Sequence, residues 1–319
     1  MNSTPSGKVA VPRDRAKRRR AGRPAGQPPL WLIYLLLFVP VSLLIVFCYI
    51  PAASALCHAF THWDPGKPAV WAGLNNFQQL LHDPVFLKSL KNLFKLGLFV
   101  FIVNLTAPFA VAEMIFHLHS ERWSYASRVA LVLPMIVPGV VVFMIWQYIY
   151  SDAGILTALL EGLGLNNWIY GWLSHPKTAL WAVAFVGFPF AHGFNVLIYY
   201  AGLANIPPSI LEAAEVDGIN AFGEIARIHI PLILSQIRLL TIVTMIGVVN
   251  GFESVYILTR DGGPGYETMV PGLYMFLNGF VFERMGYAAA IGLLLLIFLL
   301  ACTILFNRLI RTEDYEPGT

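Results

Sequence analysis

Polar side chains sit where an apolar medium would make them costly. Glu113, His192, Asn195, Asn250 and Glu253 each lie inside a long apolar stretch. A carboxylate or amide kept away from water is expensive, and such residues are default candidates for a solute or ion path. Their spacing does not suit catalysis. The chain has neither the H-E-x-x-H pattern of a zinc helix nor the G-x-S-x-G turn of a nucleophilic serine. His117 and His119 stand two apart, which is poor spacing for one metal ion. Cys48, Cys57 and Cys302 fit neither a metal site nor a disulfide framework and read as small apolar residues. A phosphate-cradling G-x-x-x-x-G-K-[ST] loop is also missing, because Gly7-Lys8 and Gly66-Lys67 lack the upstream glycine. The chain is therefore expected to be no enzyme, with no catalytic residue, metal or cofactor of its own. Any energy for moving a solute must come from another chain or from an ion gradient.

The elements that must position those residues are membrane helices. Of the 319 residues 57% are hydrophobic and 12% charged, whereas a soluble domain is about 45–50% apolar and about 25% charged. Mean hydropathy is +0.65. One soluble core could not hide so much apolar surface, but lipid can solvate it. A transmembrane helix needs about 20 apolar residues, and six stretches qualify. They run at about Leu30–Leu56, Leu93–Phe116, Val129–Tyr150, Ala179–Leu203, Ile237–Leu258 and Tyr287–Leu309. Pro40, Pro108, Pro134, Pro138 and Pro189 fall inside them and favour kinks. The expected fold is all-α and membrane-integral, with six transmembrane helices over residues 30–310.

Residues 1–29 form a basic polar arm, with Lys8, Arg13, Arg15, Lys17, Arg18, Arg19, Arg20 and Arg23 against Asp14. A cleaved leader ending at Ala53-Ser54-Ala55 is disfavoured, since the apolar stretch exceeds an ordinary leader core. A basic segment abutting a span is a topology signal rather than a nucleic-acid arm. Six spans put both termini on one side, with Arg122, Arg128, Arg227, Arg238, Arg308 and Arg311. The other side holds Lys67, Lys88, Lys91, Lys95, Lys177, Arg260 and Arg284, half as many cations. Both termini, the short tail 311–319 and the loop at about 204–236 are thus expected in the cytoplasm.

That loop carries explicit start and stop signals. Pro207 and Pro208 precede Ser209-x-x-Glu212, the S-x-x-E pattern of a capping box, and Gly218 suits a helix end. A second short helix is expected from about Ala221 to His229, closed by Pro231. Ile210, Leu211, Ala214 and Ile225 supply apolar surface beside Glu212, Glu215 and Asp217. A helix bearing only acids would be repelled by anionic lipid, so it reads as a docking knob for a cytoplasmic partner and not as a surface-lying helix.

Glu212-Ala213-Ala214, Asp217-Gly218 and Ile228-His229-Ile230-Pro231-Leu232 resemble the EAA loop of bacterial ABC importer permeases. Ile219 and Ile230 depart conservatively from that pattern. Trp71-Ala72-Gly73-Leu74-Asn75-Asn76-Phe77 is similar to the "GLxNF" segment of the carbohydrate branch. Thr259-Arg260-Asp261-Gly262-Gly263-Pro264-Gly265 is similar to its "GGP" turn, with one extra residue, and Gly286-Tyr287-Ala288-Ala289-Ala290 to its "GYAAA" segment. The resemblance spans about residues 30–310. It implies a permease in the bacterial inner membrane whose coupling helix, with Glu212, Ala213, Ala214, Asp217 and Gly218, seats in a cytoplasmic ATPase subunit that uses the ATP. It implies alternating access, a second permease subunit (a different chain more readily than a second copy) and an extracytoplasmic solute-binding protein. In that reading Glu212 caps and anchors the helix, Ala213 and Ala214 permit close approach, and Asp217-Gly218 sets the turn.

The resemblance places a sugar path along the fourth and fifth spans. Gly187, Phe190, Ala191 and Phe194 recur at helical i, i+3, i+4, i+7 spacing, and Val248 and Gly251 share a face beside Asn250, with Glu253 further on. Aromatic faces suit sugar rings and amides suit hydroxyls. Packing is the competing role for the aromatic stripe, and reaching water is the competing role for Glu113 and Glu253 near span ends. An ion-coupled transporter is the alternative. It would want acids deep in the bundle and often an internal repeat, and none is evident.

Overall fold

The computed structural model describes residues 29–309. All of the expected basic arm except residue 29, and the whole of the expected tail, lie outside the described residues. The chain divides into two compact units, Met1–Ala53 and Ser54–Thr319. Helix α1, Trp31–His58, opens in the first and has an apolar window of mean hydropathy 2.7. Pro40 lies inside without ending it. The ladder widens into one π turn at Ile45–Tyr49, where Pro51 has no N–H to offer the Phe47 carbonyl.

The second unit begins with a two-residue antiparallel pair, β1 Thr61–His62 and β2 Val70–Trp71, in register Thr61↔Trp71. Helix α2, Asn75–His82, leads into α3, Pro84–Phe116. Asp83 starts α3 firmly. Its side chain accepts from Val85 N at 2.9 Å and Phe86 N at 3.2 Å, and Pro84 occupies the first turn, where its missing N–H costs nothing. The 33 residues of α3 make a rod about 50 Å long, so its two ends serve different faces of the protein. The second expected span lies wholly within it, and Pro108 does not break it.

Three expected spans are interrupted. The third is split into α4, Glu121–Val132, and α5, Gly139–Ile149, on either side of a 3₁₀ turn at Leu133–Ile136; the two halves meet at 89°. Pro134 and Pro138 remove two ladder donors, and Val137 is extended because a residue preceding proline avoids helical ψ. After α6, Ile155–Gly162, the fourth expected span is only α7, Ala179–Ala184, and α8, Gly193–Ala204. The segment between them is not helical. Gly187 has φ +94° and Phe190 φ +64°, a left-handed backbone that ends any right-handed ladder. The helical stripe expected through Gly187, Phe190, Ala191 and Phe194 is therefore corrected: only Phe194 of the four belongs to a helix.

Helix α9, Pro208–Val216, and α10, Ala221–Leu232, form the loop, and α10 is bent by 73° from α11, Leu234–Asn250. The fifth span stops at Asn250 and resumes as α12, Glu253–Thr259. Helices α13, Pro271–Phe276, and α14, Met285–Leu309, complete the chain. By length and composition three described helices can cross a membrane unbroken, or up to five elements if each bent pair is one span. The chain is an all-α membrane protein whose spans are in part broken.

Two apolar clusters hold the ends of α3. One gathers Leu80, Phe86, Val255, Met269, Leu273 and Ile291. The other gathers Ala112, Ile115, Val196, Tyr199, Leu203, Ile233 and Leu240. Close packing in each cluster fixes both ends of α3 against its neighbours.

Candidate functional site

Between these clusters lies a cavity of about 490 Å³. Leu96, Val100 and Asn104 line it from α3. Phe190, His192, Phe194 and Asn195 line it from the interrupted fourth span, Val243, Thr244, Val248 and Gly251 from α11 and its end, and Ser254 from α12. The walls are mostly apolar, with amide, hydroxyl and imidazole groups set into them and no Asp, Glu, Lys or Arg among the lining residues. That pattern fits an uncharged solute carrying hydroxyls. Asn195 Nδ2 donates to the Asn104 carbonyl at 3.1 Å, tying α8 to α3 at the cavity wall.

Of the expected path residues, Phe190, Phe194, Val248 and Gly251 line this cavity. Gly187, Ala191, Asn250 and Glu253 are not among its lining residues, and Asn250 and Glu253 are exposed. The break explains the mixture. Phe190 enters the wall from a left-handed residue, not from a helical face, and its ring packs edge-on to Phe99 at 5.9 Å. Asn104, Thr244 and Ser254 were not singled out. The rule that flagged Asn195, a polar side chain within an apolar span, also finds Asn104.

At one end of α3 the loop shows a different start from the one expected. Pro207 occupies the N-cap position of α9 with no side-chain cap bond, and Ser209 is already inside the helix, so the Ser209–Glu212 capping box does not form. Pro208 in the first turn has taken the place of a capping side chain. Glu212 is exposed and caps nothing. The expected stop is correct. Gly218 has φ +69°, its N–H reaches the Glu215 carbonyl at 3.1 Å, and Ile219 N reaches the Ala214 carbonyl at 3.1 Å. These are the two bonds of a Schellman end. Asn220 then caps α10 by accepting from Gly223 N at 2.8 Å. Pro231 does not close that helix, which runs to Leu232. A π turn at Ile225–His229 reorganises the ladder just before the proline. Ala214 is buried and Ile210 and Leu211 pack on the cluster around Tyr199 and Leu203, leaving Glu212, Ala213, Val216 and Asp217 on the outer side.

The match to a known family covers this loop and the cavity residues that follow α3. Residues 111–312 match the family of binding-protein-dependent transport system inner membrane components. The chain belongs to this family. It is similar to the probable ABC transporter permease protein YurN of Bacillus subtilis, with 28% identity over 89% of this chain and 98% of that protein. It is 30% identical to the diacetylchitobiose uptake system permease protein NgcF of Streptomyces coelicolor, over 88% of this chain and 81% of that one. In fold it is similar to a chain of the bacterial alginate ABC transporter, solved in complex with an alginate pentasaccharide-bound periplasmic protein. There the TM-score is 0.77 at 24% identity, over 91% of this chain and 96% of that chain.

The three other motifs that resemble binding-protein-dependent permeases meet at the far end of α3. Asn76 donates to the carbonyls of Ala59 and Thr61 at 2.9 and 3.0 Å, and Gly286 N donates to the Trp63 carbonyl at 3.0 Å. Lys88 bonds the Gly265 carbonyl and Glu267, both at 2.8 Å, and Asn92 donates to the carbonyls of Tyr266 and Met269 at 3.0 Å. The segments 59–92 and 259–288 thus form one interlocked cap on this permease.

Glu113 corrects another expectation. Instead of reaching water its side chain is 8% exposed and contacts His229, whose Nδ1 lies 3.0 and 3.1 Å from the two carboxylate oxygens. His229 was legible only as a letter of the loop motif. Burial pushes its imidazole down, but hydrogen bonding and charge from Glu113 and Glu224 outweigh that and raise it above 6.5.

Proposed function

We propose that this chain is the membrane-spanning permease subunit of an ATP-binding-cassette importer for a sugar or sugar-like solute. One observation carries the reading: a single helix, α3, walls the mid-bundle cavity with Leu96, Val100 and Asn104 and, at its Glu113 end, bonds His229 of α10, the helix that follows the Glu212–Gly218 turn. A rigid rod joining a solute-sized cavity to an exposed docking helix suits alternating access driven by a partner. ATP binding would close a pair of ATPase subunits seated against Glu212, Ala213 and Asp217, with Gly218 fixing the turn and Ala214 seating the helix on its own bundle. ATP hydrolysis belongs to those subunits.

The finer assignments are part of the same proposal. They are a bacterial inner-membrane location, six spans counting each broken one once, and both termini in the cytoplasm. A second permease subunit completes the cavity, and a solute-binding protein docks on the cap formed by 59–92 and 259–288. A relative named for diacetylchitobiose uptake supports a carbohydrate, and a cavity lined by no Asp, Glu, Lys or Arg favours a neutral one.

The test is co-purification from native membranes, comparing the intact chain with a Glu212→Ala, Gly218→Pro variant. An ATPase subunit retained by the intact chain and lost by the variant is the expected result. Absence of an ATPase from both, with uptake abolished by an ionophore, would instead establish an ion-coupled transporter.

A further inference from the structure

The joint between the loop and the bundle is polar and buried, and packing alone gives no reason for it to be. His229 is fully buried, with Nδ1 on both oxygens of Glu113 and Nε2 3.3 Å from Glu224 Oε1. The second imidazole nearby, His117, stands 3.7 Å from Glu113 Oε2, and the Phe116 ring lies edge-on to His229 at 5.5 Å. Two elements therefore contribute: α3 the buried acid, and α10 both the outer acid, in its first turn, and the imidazole between the acids, in its π turn. Removing such a set from water is costly, and an apolar set of the same volume would hold two helices together at least as well. A buried hydrogen-bonded pair offers direction instead. Its geometry is satisfied in one arrangement and strongly penalised in others, whereas the apolar contacts of Ile210, Leu211 and Ala214 tolerate sliding.

We propose that the Glu113–His229 pair, with Glu224 behind it, is the mechanical joint that transmits movement of the coupling loop to α3 and so to the cavity. Glu113 and His229 are positioning residues that touch neither solute nor nucleotide. The inference rests on the importer reading above. Its geometry is direct: on α3, Asn104 and Val100 lie about 14 and 20 Å along the axis from Glu113, and both line the cavity. A shift of α10 with its imidazole pulls one end of a rod whose middle is the cavity wall. Among the described hydrogen bonds, those from His229 to Glu113 are the ones that tie the loop side chains to α3.

The experiment needs no knowledge of the solute. The whole transporter, co-expressed with its ATPase and partner subunits, is prepared with Cys48, Cys57 and Cys302 replaced and S254C placed in the cavity wall. Modification of that thiol by a membrane-impermeant maleimide is followed with and without ATP plus vanadate, beside steady-state ATP hydrolysis. The background protein is expected to hydrolyse ATP and to change its labelling rate on trapping. In E113Q and H229Q, ATP hydrolysis is expected to persist while the trapping-induced change shrinks by at least about tenfold. The double variant should be no worse than either single, because one joint is lost only once. E224Q, at the edge of the buried pair, should give an intermediate loss. Unchanged labelling responses in E113Q and H229Q, or additive losses in the double variant, would overturn the joint. Loss of subunit assembly in E113Q, H229Q and E224Q alike would overturn it in favour of a purely architectural pair. A background protein with no associated ATP hydrolysis would overturn the importer reading itself, which is a separate outcome.

Discussion

Asp83 Oδ2 accepts hydrogen bonds from Tyr287 at 2.7 Å and from Tyr274 at 2.5 Å, while Oδ1 caps α3. One carboxylate thus locks the start of α3 to α13 and α14. Burial pushes its pKa up, but the bonds from Tyr274, Tyr287, Phe86 and Val85 outweigh that and hold it below 3.8. Burial and the carboxylate beside it push the Tyr274 hydroxyl up to about 12.

Replacing Asp83 by Ala removes a helix cap and leaves two tyrosine hydroxyls without their acceptor. The expected loss is about 2–3 kcal/mol, read as a lowered midpoint in thermal unfolding of the detergent-solubilised complex. Because the folded pKa is depressed, this carboxylate contributes stability above its unfolded pKa of 3.8, and the contribution is lost as pH falls through the lower folded value. The gap in midpoint between the intact chain and Asp83→Asn should therefore be largest near neutrality and shrink in acid. A gap independent of pH would show that charge plays no part.

Gly218 is required for its backbone and not for space. A Cβ there would meet nothing within 4 Å, yet φ is +69°. Gly218→Ala should therefore cost only about 1–2 kcal/mol locally and loosen the end of α9 without disturbing the core. Weaker retention of the ATPase in a salt-wash series, with an unchanged unfolding midpoint, is the expected pair of results.

The cavity wall and the residues beside it should separate cleanly in transport. Phe194→Ala and Asn195→Ala are expected to raise the apparent KM for the transported sugar by about tenfold each, the scale of one lost ring or amide contact. Asn250→Ala, exposed and outside the lining, should leave it unchanged. Equal effects at all three positions would remove the cavity from the solute path.

Gly193 opens α8 where it crosses the backbone before the break in the third span. A Cβ at this position would overlap the Leu131 carbonyl. Gly193→Ala should push α8 away from α4 and abolish transport, with a drop of about 1–3 kcal/mol in stability. Normal uptake by this variant would show that the two broken spans can separate without consequence.

Much of the site was legible because it is local. Gly218 ends α9 as its position after the acidic helix suggests, and Phe194, Val248 and Gly251 reach the cavity. The failures share a cause. Ser209 and Glu212 match a capping box in letters, but the prolines set the helix start two residues earlier. Phe190 reaches the wall although its assumed helix is absent, since a left-handed residue and not a 3.6-residue period turns it there.

Composition and apolar run length by themselves determined an all-helical membrane protein, because lipid leaves a chain so poor in charge few other ways to satisfy its backbone. Motif order located the coupling loop and the segments that form the far cap. Only the tertiary structure decided where the spans break, since a proline within an apolar run is compatible with a helix, as at Pro108, or with an 89° bend, as at Pro134 and Pro138. Which occurs depends on whether neighbouring elements pack against the bent form. The tertiary structure alone also brought Glu113 to His229, 116 positions apart. Pairing of buried polar groups is a property of which surfaces meet, and no local pattern in either segment records it.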